Sequence, residues 1–142
     1  MSGYLLVESG ARTFGLPGHA VSEIIQVERL LPAPAARPAV RGVLSVRDRL
    51  VPLVHLAAAL DDETPPETIS ATAVLVTGGG RLVALEVDAT ADFVPEDPDP
   101  VPSAWEVPWA AGVVRRGGRL VPVVDLDVLI ERLRTVRTGA RS

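Results

Sequence analysis

The sequence RGVLSVRDRLVPLVHL, which runs from Arg41 to Leu56, returns 70 positions later as AGVVRRGGRLVPVVDL, from Ala111 to Leu126. The run Arg-Leu-Val-Pro keeps its place in both copies. Each copy predicts a strand, a tight polar turn and a second strand, followed by a short helix over Ala57–Leu60 or Asp127–Leu133. Because two strands cannot bury an apolar face alone, two copies predict a doubled architecture with shared cores.

A second repeat consists of apolar hairpins. The first is predicted over Tyr4–Glu8 and Thr13–Leu16, and the other over Ala71–Thr77 and Leu82–Val87. The glycine run between the strands of the later hairpin precedes neither a helix nor a Lys-Ser/Thr pair. It therefore predicts a turn and not a phosphate-binding loop. Each half of the chain thus contains a hairpin, a connector, a core unit and a helix.

The segments between these units carry weaker patterns. They predict a short helix over Pro17–Ile24 with Val21 and Ile24 on its buried face, and a strand over Ile25–Leu31. A further short strand is predicted over Thr90–Val94. Pro32–Pro38 and Pro95–Pro102 predict extended connectors, because proline excludes regular structure there. We expect the polar tail, residues 135–142, to be frayed.

Composition supports a mainly β protein. The 142 residues are 47% hydrophobic, and 13 prolines and 12 glycines interrupt short runs of valine, leucine and isoleucine. This length predicts one domain over residues 1–142, or two small subdomains that share contacts.

Charge and cysteine content exclude several classes of function. A net charge of −4 without a basic block argues against a nucleic-acid partner. The absence of cysteine excludes disulfides, thiolate metal sites and cysteine nucleophiles. No secretory signal and no apolar run of about 20 residues is present, so we expect a cytoplasmic protein that does not insert into a membrane.

The histidine pattern does not predict catalysis. His19 and His55 are the two histidines of the chain, and neither has the spacing of a metal site. No nucleophile elbow of the Gly-x-Ser-x-Gly type occurs. We therefore predict no catalytic residue, metal site or cofactor, and interpret His55 as a structural or surface residue.

Arginine and tryptophan side chains are the candidates for contact with a partner. Arg41, Arg47 and Arg49 alternate along the first core strand, which predicts that they point to one side of the sheet. They form either a solvated edge or an interface, where arginine is favoured. Trp105 and Trp109 either anchor a partner or pack over the ends of the barrels.

The order of these elements resembles CheW-like domains, the adaptor modules of bacterial chemotaxis. The resemblance rests on the segment His19–Ile24, the proline-rich connector and the run from Arg41 to Leu56, with Leu82–Asp88 and Gly112–Leu126 in the second half. It covers residues 4–133. It implies two intertwined five-stranded SH3-like β-barrels with short helices, and a protein that is not an enzyme.

The resemblance also implies partners and contact residues. Members of the family bridge the cytoplasmic tip of methyl-accepting chemoreceptors and the regulatory domain of the histidine kinase CheA. Arg47 falls where the arginine of the family's Asn-Leu-Arg-Gly motif contacts the receptor. Val21, Thr72 and Ala84 fall near other positions tied to receptor contact.

Two positions depart from the family motif. Asp48 stands where the family has glycine, and it tolerates a positive φ better than most residues. His55 stands where the family has aspartate, which removes a possible carboxylate partner for a nearby arginine. These departures leave an alternative open, namely a divergent CheW-like protein that has lost the kinase or receptor interface and serves another signalling partner.

Overall fold

The computed structural model describes residues 3–32 and 37–140, with side chains described as far as residue 134. Its strands, in chain order, are β1 (Tyr4–Ser9), β2 (Arg12–Pro17), β3 (Val21–Gln26), β4 (Leu30–Leu31), β5 (Val40–Val46), β6 (Arg49–His55), β7 (Thr72–Gly78), β8 (Arg81–Val87), β9 (Ala89–Val94), β10 (Ala110–Arg116) and β11 (Arg119–Val124). The helices are a 3₁₀ turn (Gly18–Ala20), α1 (Leu56–Asp61) and α2 (Leu126–Ala140).

The strands form two sheets that exchange their hairpins. The first sheet has the order β10-β11-β2-β1-β9, and the second has the order β3-β7-β8-β6-β5-β4. Hairpin β1–β2 of the first half thus joins the core unit β10–β11 of the second half. Hairpin β7–β8 joins β5–β6 in the same way. The central contacts are parallel, with Leu53 opposite Ala84 in one sheet and Val123 opposite Gly15 in the other.

Buried side chains form three clusters. Each sheet covers a small core of its own, centred on Val121 and Leu6 in the first sheet and on Leu53 and Leu75 in the second. A larger core combines residues of both sheets with the apolar faces of α1 and α2. The predicted sharing of cores between the two copies is therefore confirmed.

A glycine in each core unit marks a point of close chain approach. A Cβ atom at Gly42 would lie 2.5 Å from the Leu31 carbonyl oxygen, and one at Gly112 would lie 3.0 Å from the Asp99 carbonyl oxygen. These contacts are equivalent. Leu31 pairs with Val43, and Asp99 forms a bridge with Val113, which is the counterpart of Val43 70 positions later. The repeat therefore keeps glycine where a neighbouring segment pairs closely with the strand.

The mainly β architecture with two intertwined sheets agrees with the prediction. The first sheet has the five predicted strands, while the second gains a sixth, the two-residue β4. Closure of each sheet into a barrel stays a prediction. Strand β9 confirms the strand expected over Thr90–Val94.

Two local predictions were wrong. The helix over Pro17–Ile24 is limited to the 3₁₀ turn, and the chain continues as β3, with Ile24 50% exposed. The physical reason is pairing with β7, which supplies backbone hydrogen bonds along β3. The strand over Ile25–Leu31 is divided accordingly between β3 and β4.

The second core helix is longer than the predicted Asp127–Leu133, since α2 extends to Ala140. Residues 33–36 of the first connector lie outside the described part of the chain. The side chains of residues 135–140 and the whole of residues 141–142 also lie outside it, so fraying of the tail stays a prediction.

The close approach at Gly42 gives a stability test. Gly42 has φ 151°, and the added methyl group would meet backbone, which cannot yield cheaply. We expect Gly42→Ala to lower the free energy of unfolding by about 2–4 kcal/mol. Urea denaturation measures this. Gly80→Ala is the matched control, because Gly80 has open space around it and should cost about 1 kcal/mol for its φ of 75°. Equal losses in both variants would show that the close approach of Leu31 does not select glycine at position 42.

Candidate partner-binding surface

The β5–β6 turn presents Arg47 at the tip of the second sheet. Arg47 and Asp48 have φ values of 47° and 65°, which define a two-residue hairpin turn with both central residues left-handed. The equivalent turn of the first sheet has glycine at both positions, Gly117 and Gly118, with φ values of 55° and 78°. Asp48 therefore adopts the positive φ expected of it. Arg47 adopts a conformation that costs an ordinary side chain roughly 1 kcal/mol.

The Arg47 side chain is 70% exposed and pairs with Glu23 of β3, which is 33% exposed. The pair joins the β5–β6 turn to the strand at the opposite edge of the same sheet. An exposed ion pair of this kind contributes little to stability, typically about 0–1 kcal/mol. Because the Arg47 side chain is 70% exposed, most of it remains accessible for other contacts.

The other predicted contact residues occupy different environments. Val21 begins β3 and is half-buried opposite Val76, two residues from Glu23. Thr72 begins β7, is also half-buried, and pairs with Gln26 at the far end of β3.

Ala84 differs from the other predicted contact residues, because it is fully buried in the core of the second sheet. In this structure Ala84 therefore packs the core and does not reach the surface. The structure brings Arg47 and Val21 to the neighbourhood of Glu23, places Thr72 opposite the other end of β3, and buries Ala84 in the core of the second sheet.

The three arginines of the first core unit differ in burial. Arg41 is 8% exposed and forms a two-point ion pair with the buried Glu86, at 2.7 Å from Nε to Oε1 and 3.3 Å from Nη2 to Oε2. The Ser70 N–H donates to the same carboxylate at 2.7 Å. Arg41 is thus held inside by a charged partner, whereas Arg47 and Arg49 are exposed.

His55 serves as the N-cap of α1. Its Nδ1 accepts a hydrogen bond from the Ala58 N–H at 3.1 Å, and the equivalent Asp125 accepts one from the Val128 N–H at 3.2 Å. Histidine therefore performs here the capping role that aspartate performs in the second half. The carboxylate that neutralises the nearby arginine is Glu86, so the histidine at position 55 leaves no buried charge unpaired.

Accepting that hydrogen bond requires a neutral imidazole. Burial lowers the pKa of His55 below its ordinary value of 6.5, and the nearby Glu86 carboxylate opposes the shift. The interpretation of His55 as a structural residue is consistent with this environment.

Two further features of the described residues bear on function. Among the described residues, no group of three or more histidine, aspartate or glutamate side chains is placed to hold a metal ion. Within the same part of the chain, no helix is long and apolar enough to cross a membrane.

Sequence reasoning missed Glu23 and Glu86. The predicted helix over Pro17–Ile24 includes Glu23 and therefore hides its place on an edge strand. The β-branched residues Val21, Ile24 and Ile25 were the available signal in the sequence. Glu86 lies within the apolar run of β8, and a carboxylate in such a run indicates a buried cationic partner.

The strained turn predicts an unusual stability effect. We expect Arg47→Gly to raise the free energy of unfolding by about 0.5–1 kcal/mol, because glycine adopts φ 47° without steric cost. Arg49→Gly is the control, since this residue lies in strand β6, and glycine there should destabilise by about 0.5–1 kcal/mol. Thermal or urea unfolding distinguishes the two. A loss of stability in Arg47→Gly would mean that the ion pair with Glu23 outweighs the strain.

The His55 cap predicts a pH dependence of stability. Between the lowered folded pKa and about 6.5, the unfolded chain binds more protons at this residue than the folded chain does. Stability should therefore fall as the pH drops below about 6.5, and this contribution should level off below the folded pKa. In His55→Asn, which keeps a capping side chain without the titration, that part of the slope should vanish. Urea denaturation at about pH 7.5 and about pH 5.5 measures the change in the free energy of unfolding between the two pH values. The same change in the wild-type protein and in His55→Asn would contradict the assignment to His55.

Comparison with known proteins identifies the family. The family model described as CheW-like domain matches residues 3–134. Over 114 residues the chain is 32% identical to the chemotaxis protein CheW of Rhizobium meliloti (strain 1021), a match that covers 76% of this chain and 74% of that protein. The crystal structure of the scaffolding protein TtCheW from Thermoanaerobacter tengcongensis superposes with a TM-score of 0.78 over 92% of each chain, at 17% identity.

These findings agree with the pattern read from the repeats. The solved structure shows the same fold, and the family model spans both copies of the core unit and both hairpins. The chain belongs to the CheW-like domain family, whose members are scaffold adaptors of chemotaxis and not enzymes.

Proposed function

We propose that this protein couples the cytoplasmic tip of a methyl-accepting chemoreceptor to the regulatory domain of a CheA-type histidine kinase. The observation that carries the proposal is the exposed, conformationally strained Arg47 on a CheW-like scaffold. Strained residues persist where the surrounding structure holds them and function uses them. The protein would act in the cytoplasm by docking alone, without a cofactor.

The receptor side of the proposal uses the surface around β3. Arg47 offers a planar guanidinium with several N–H donors, of which the Glu23 carboxylate uses one. Ile24, the next residue of β3, is 50% exposed but faces the opposite side of this edge strand. A receptor helix that carries an acidic residue would match the free donors of Arg47. Val21 and Thr72 would contribute at the two ends of the strand.

The two departures from the family motif do not weaken the scaffold. Asp48 keeps the backbone geometry of the glycine turn in the other sheet, and His55 keeps the cap that Asp125 provides in the other half. Their presence therefore gives no structural reason to prefer the alternative, in which one of the two interfaces has been lost. Binding to both partners remains the function that the residues support best.

Arg47→Glu tests the receptor contact. We expect the binding of the purified protein to the isolated receptor tip to weaken by roughly tenfold or more. The substitution replaces a hydrogen-bond donor with a negative charge, which would repel the acidic residue expected on the receptor. Titration calorimetry measures the affinity. Arg49→Glu is the matched control, since Arg49 is exposed two residues away and should tolerate the change. Unchanged receptor binding in Arg47→Glu would remove Arg47 from the interface.

A charge exchange separates direct contact from the internal ion pair. The double variant Glu23→Arg with Arg47→Glu restores an ion pair in the reverse order. Binding that recovers in this variant would show that the pair only holds the turn in place, whereas binding that stays weak supports direct contact by Arg47.

Titration of the same proteins with the regulatory domain of the kinase tests the other half of the proposal. Saturable binding supports the adaptor role. A folded protein that binds the receptor tip but not this domain would favour the partner-switched alternative.

A further inference from the structure

Residues 62–71 form a strap that joins α1 to β7. The whole strap lies outside the helices and strands, and of residues 62–69 all except Pro65 are exposed. Packing therefore does little to hold this segment. Its order depends instead on the hydrogen bonds that are made at its two ends.

The first end of the strap is held by Ala58 of α1. The Ala58 carbonyl oxygen accepts hydrogen bonds from the N–H groups of Asp62 and Glu63, the latter at 3.1 Å. The N–H of the same Ala58 donates to His55 Nδ1, also at 3.1 Å. Because α1 has only six residues, the loss of the cap at its N-terminus would also release the hydrogen bonds at its C-terminus. Ala58 thus connects the His55 ring to the beginning of the strap.

The second end of the strap is held by the buried ion pair of the second sheet. The Ser70 N–H donates to Glu86 at 2.7 Å, and Arg41 Nη2 donates to the Thr68 carbonyl oxygen at 3.1 Å. In the parallel pairing of β6 with β8, Glu86 lies directly opposite His55. Both ends of the strap therefore lead back to this pair of adjacent titratable side chains.

A cavity of about 640 Å³ lies between the strap and α1. It is lined by His55, which is 4% exposed, by Gly10, Ala57 and Ala58, and by residues 63–66 of the strap. Release of the strap from Ala58 would open this cavity to solvent and expose the imidazole.

The other half of the molecule has a different cap and no strap of this kind. Asp125 accepts the Val128 N–H at the start of α2, and within the described residues α2 continues to Ala140. A carboxyl group keeps an acceptor oxygen in both of its protonation states, whereas an imidazole loses its acceptor nitrogen when it is protonated. The cap that a proton can remove is therefore found in the half where a strap follows the helix.

We propose that His55 is a proton-sensitive latch, which holds the strap in place while its ring is neutral and releases it when the ring is protonated. The imidazolium has two N–H donors and no acceptor, so the Ala58 N–H would face another donor. The first turn of α1 then loses its cap, and Asp62 and Glu63 lose the carbonyl oxygen that holds them. This latch belongs to the scaffold and does not depend on the partners proposed above.

The charged groups around His55 come from several elements. They are Glu86 of β8, Asp88 after β8, Arg41 of β5, Arg12 of β2 and Glu63 of the strap. Burial is the main cause that lowers the pKa of His55 from 6.5, and Arg41 acts in the same direction, while Glu86 and Asp88 oppose the shift. The strap should therefore be held at neutral pH and released in the acidic range below 6.5.

Hydrogen exchange of single amides at about pH 7.5 and about pH 5.5 tests the latch, after correction for the intrinsic dependence of exchange on pH. At the lower pH, we expect the protection of the Asp62 and Glu63 amides to fall by roughly fivefold or more beyond any change in the amides of β7. This is the factor that corresponds to the loss of a helix cap. The Ser70 amide should change less, because Glu86 holds it independently of the cap.

Two variants at the same position serve as matched controls. His55→Asn keeps an acceptor for the Ala58 N–H but does not titrate, and His55→Asp introduces the residue that caps α2. In both variants the additional loss of protection in the strap should be absent. The proposal is overturned if the strap amides of the wild-type protein change no more than those of β7, since that result would indicate global unfolding. It is also overturned if the strap loses as much protection in the variants as in the wild-type protein.

Discussion

The parallel pairing of a hairpin from one half with a core unit from the other is the constraint on which this structure depends. Strand β6 pairs with β8, and β11 pairs with β2, in the middle of their respective sheets. Without these contacts each half would keep two separate hairpins, and an isolated hairpin is marginally stable at best in water. The exchange therefore makes each half necessary to the other, and it places the large shared core, with α1 and α2, between the sheets.

Features set by the backbone are repeated in both halves, while features set by side chains have diverged. Glycine is retained at positions 42 and 112, where a neighbouring segment would meet any Cβ atom. The helix cap is retained in function but not in residue type, since His55 and Asp125 both accept a backbone N–H. The two turns keep their left-handed backbone although one consists of Arg47 and Asp48 and the other of two glycines. Selection on the fold thus acts on geometry, and several residue types satisfy it.

The sequence was sufficient to predict the hairpins, the short helices that follow the core units and the family, because each rests on local periodicity or on the repeat. The pairing partners of the strands were not predictable in the same way, since nothing local to β2 indicates that it pairs with β11. The helix assigned to Pro17–Ile24 failed for a related reason, because the long-range partner β7 decides the conformation of β3. The Arg47–Glu23 and Arg41–Glu86 pairs depend on the same long-range geometry. Arg47 itself was found through the family motif, and only the structure separated it from the buried Arg41.

A scaffold made of two related sheets gives an adaptor two equivalent tips, and the difference between those tips can then specify two partners. In the second sheet, the turn carries a strained Arg47 that pairs with Glu23 of the edge strand β3. In the first sheet, the turn is Gly117-Gly118, and Arg116 and Arg119 flank it on β10 and β11. The same backbone therefore presents one turn with charged side chains and one turn without side chains. Specificity on this fold then requires few substitutions, because the backbone that presents the side chains is already the same at both tips.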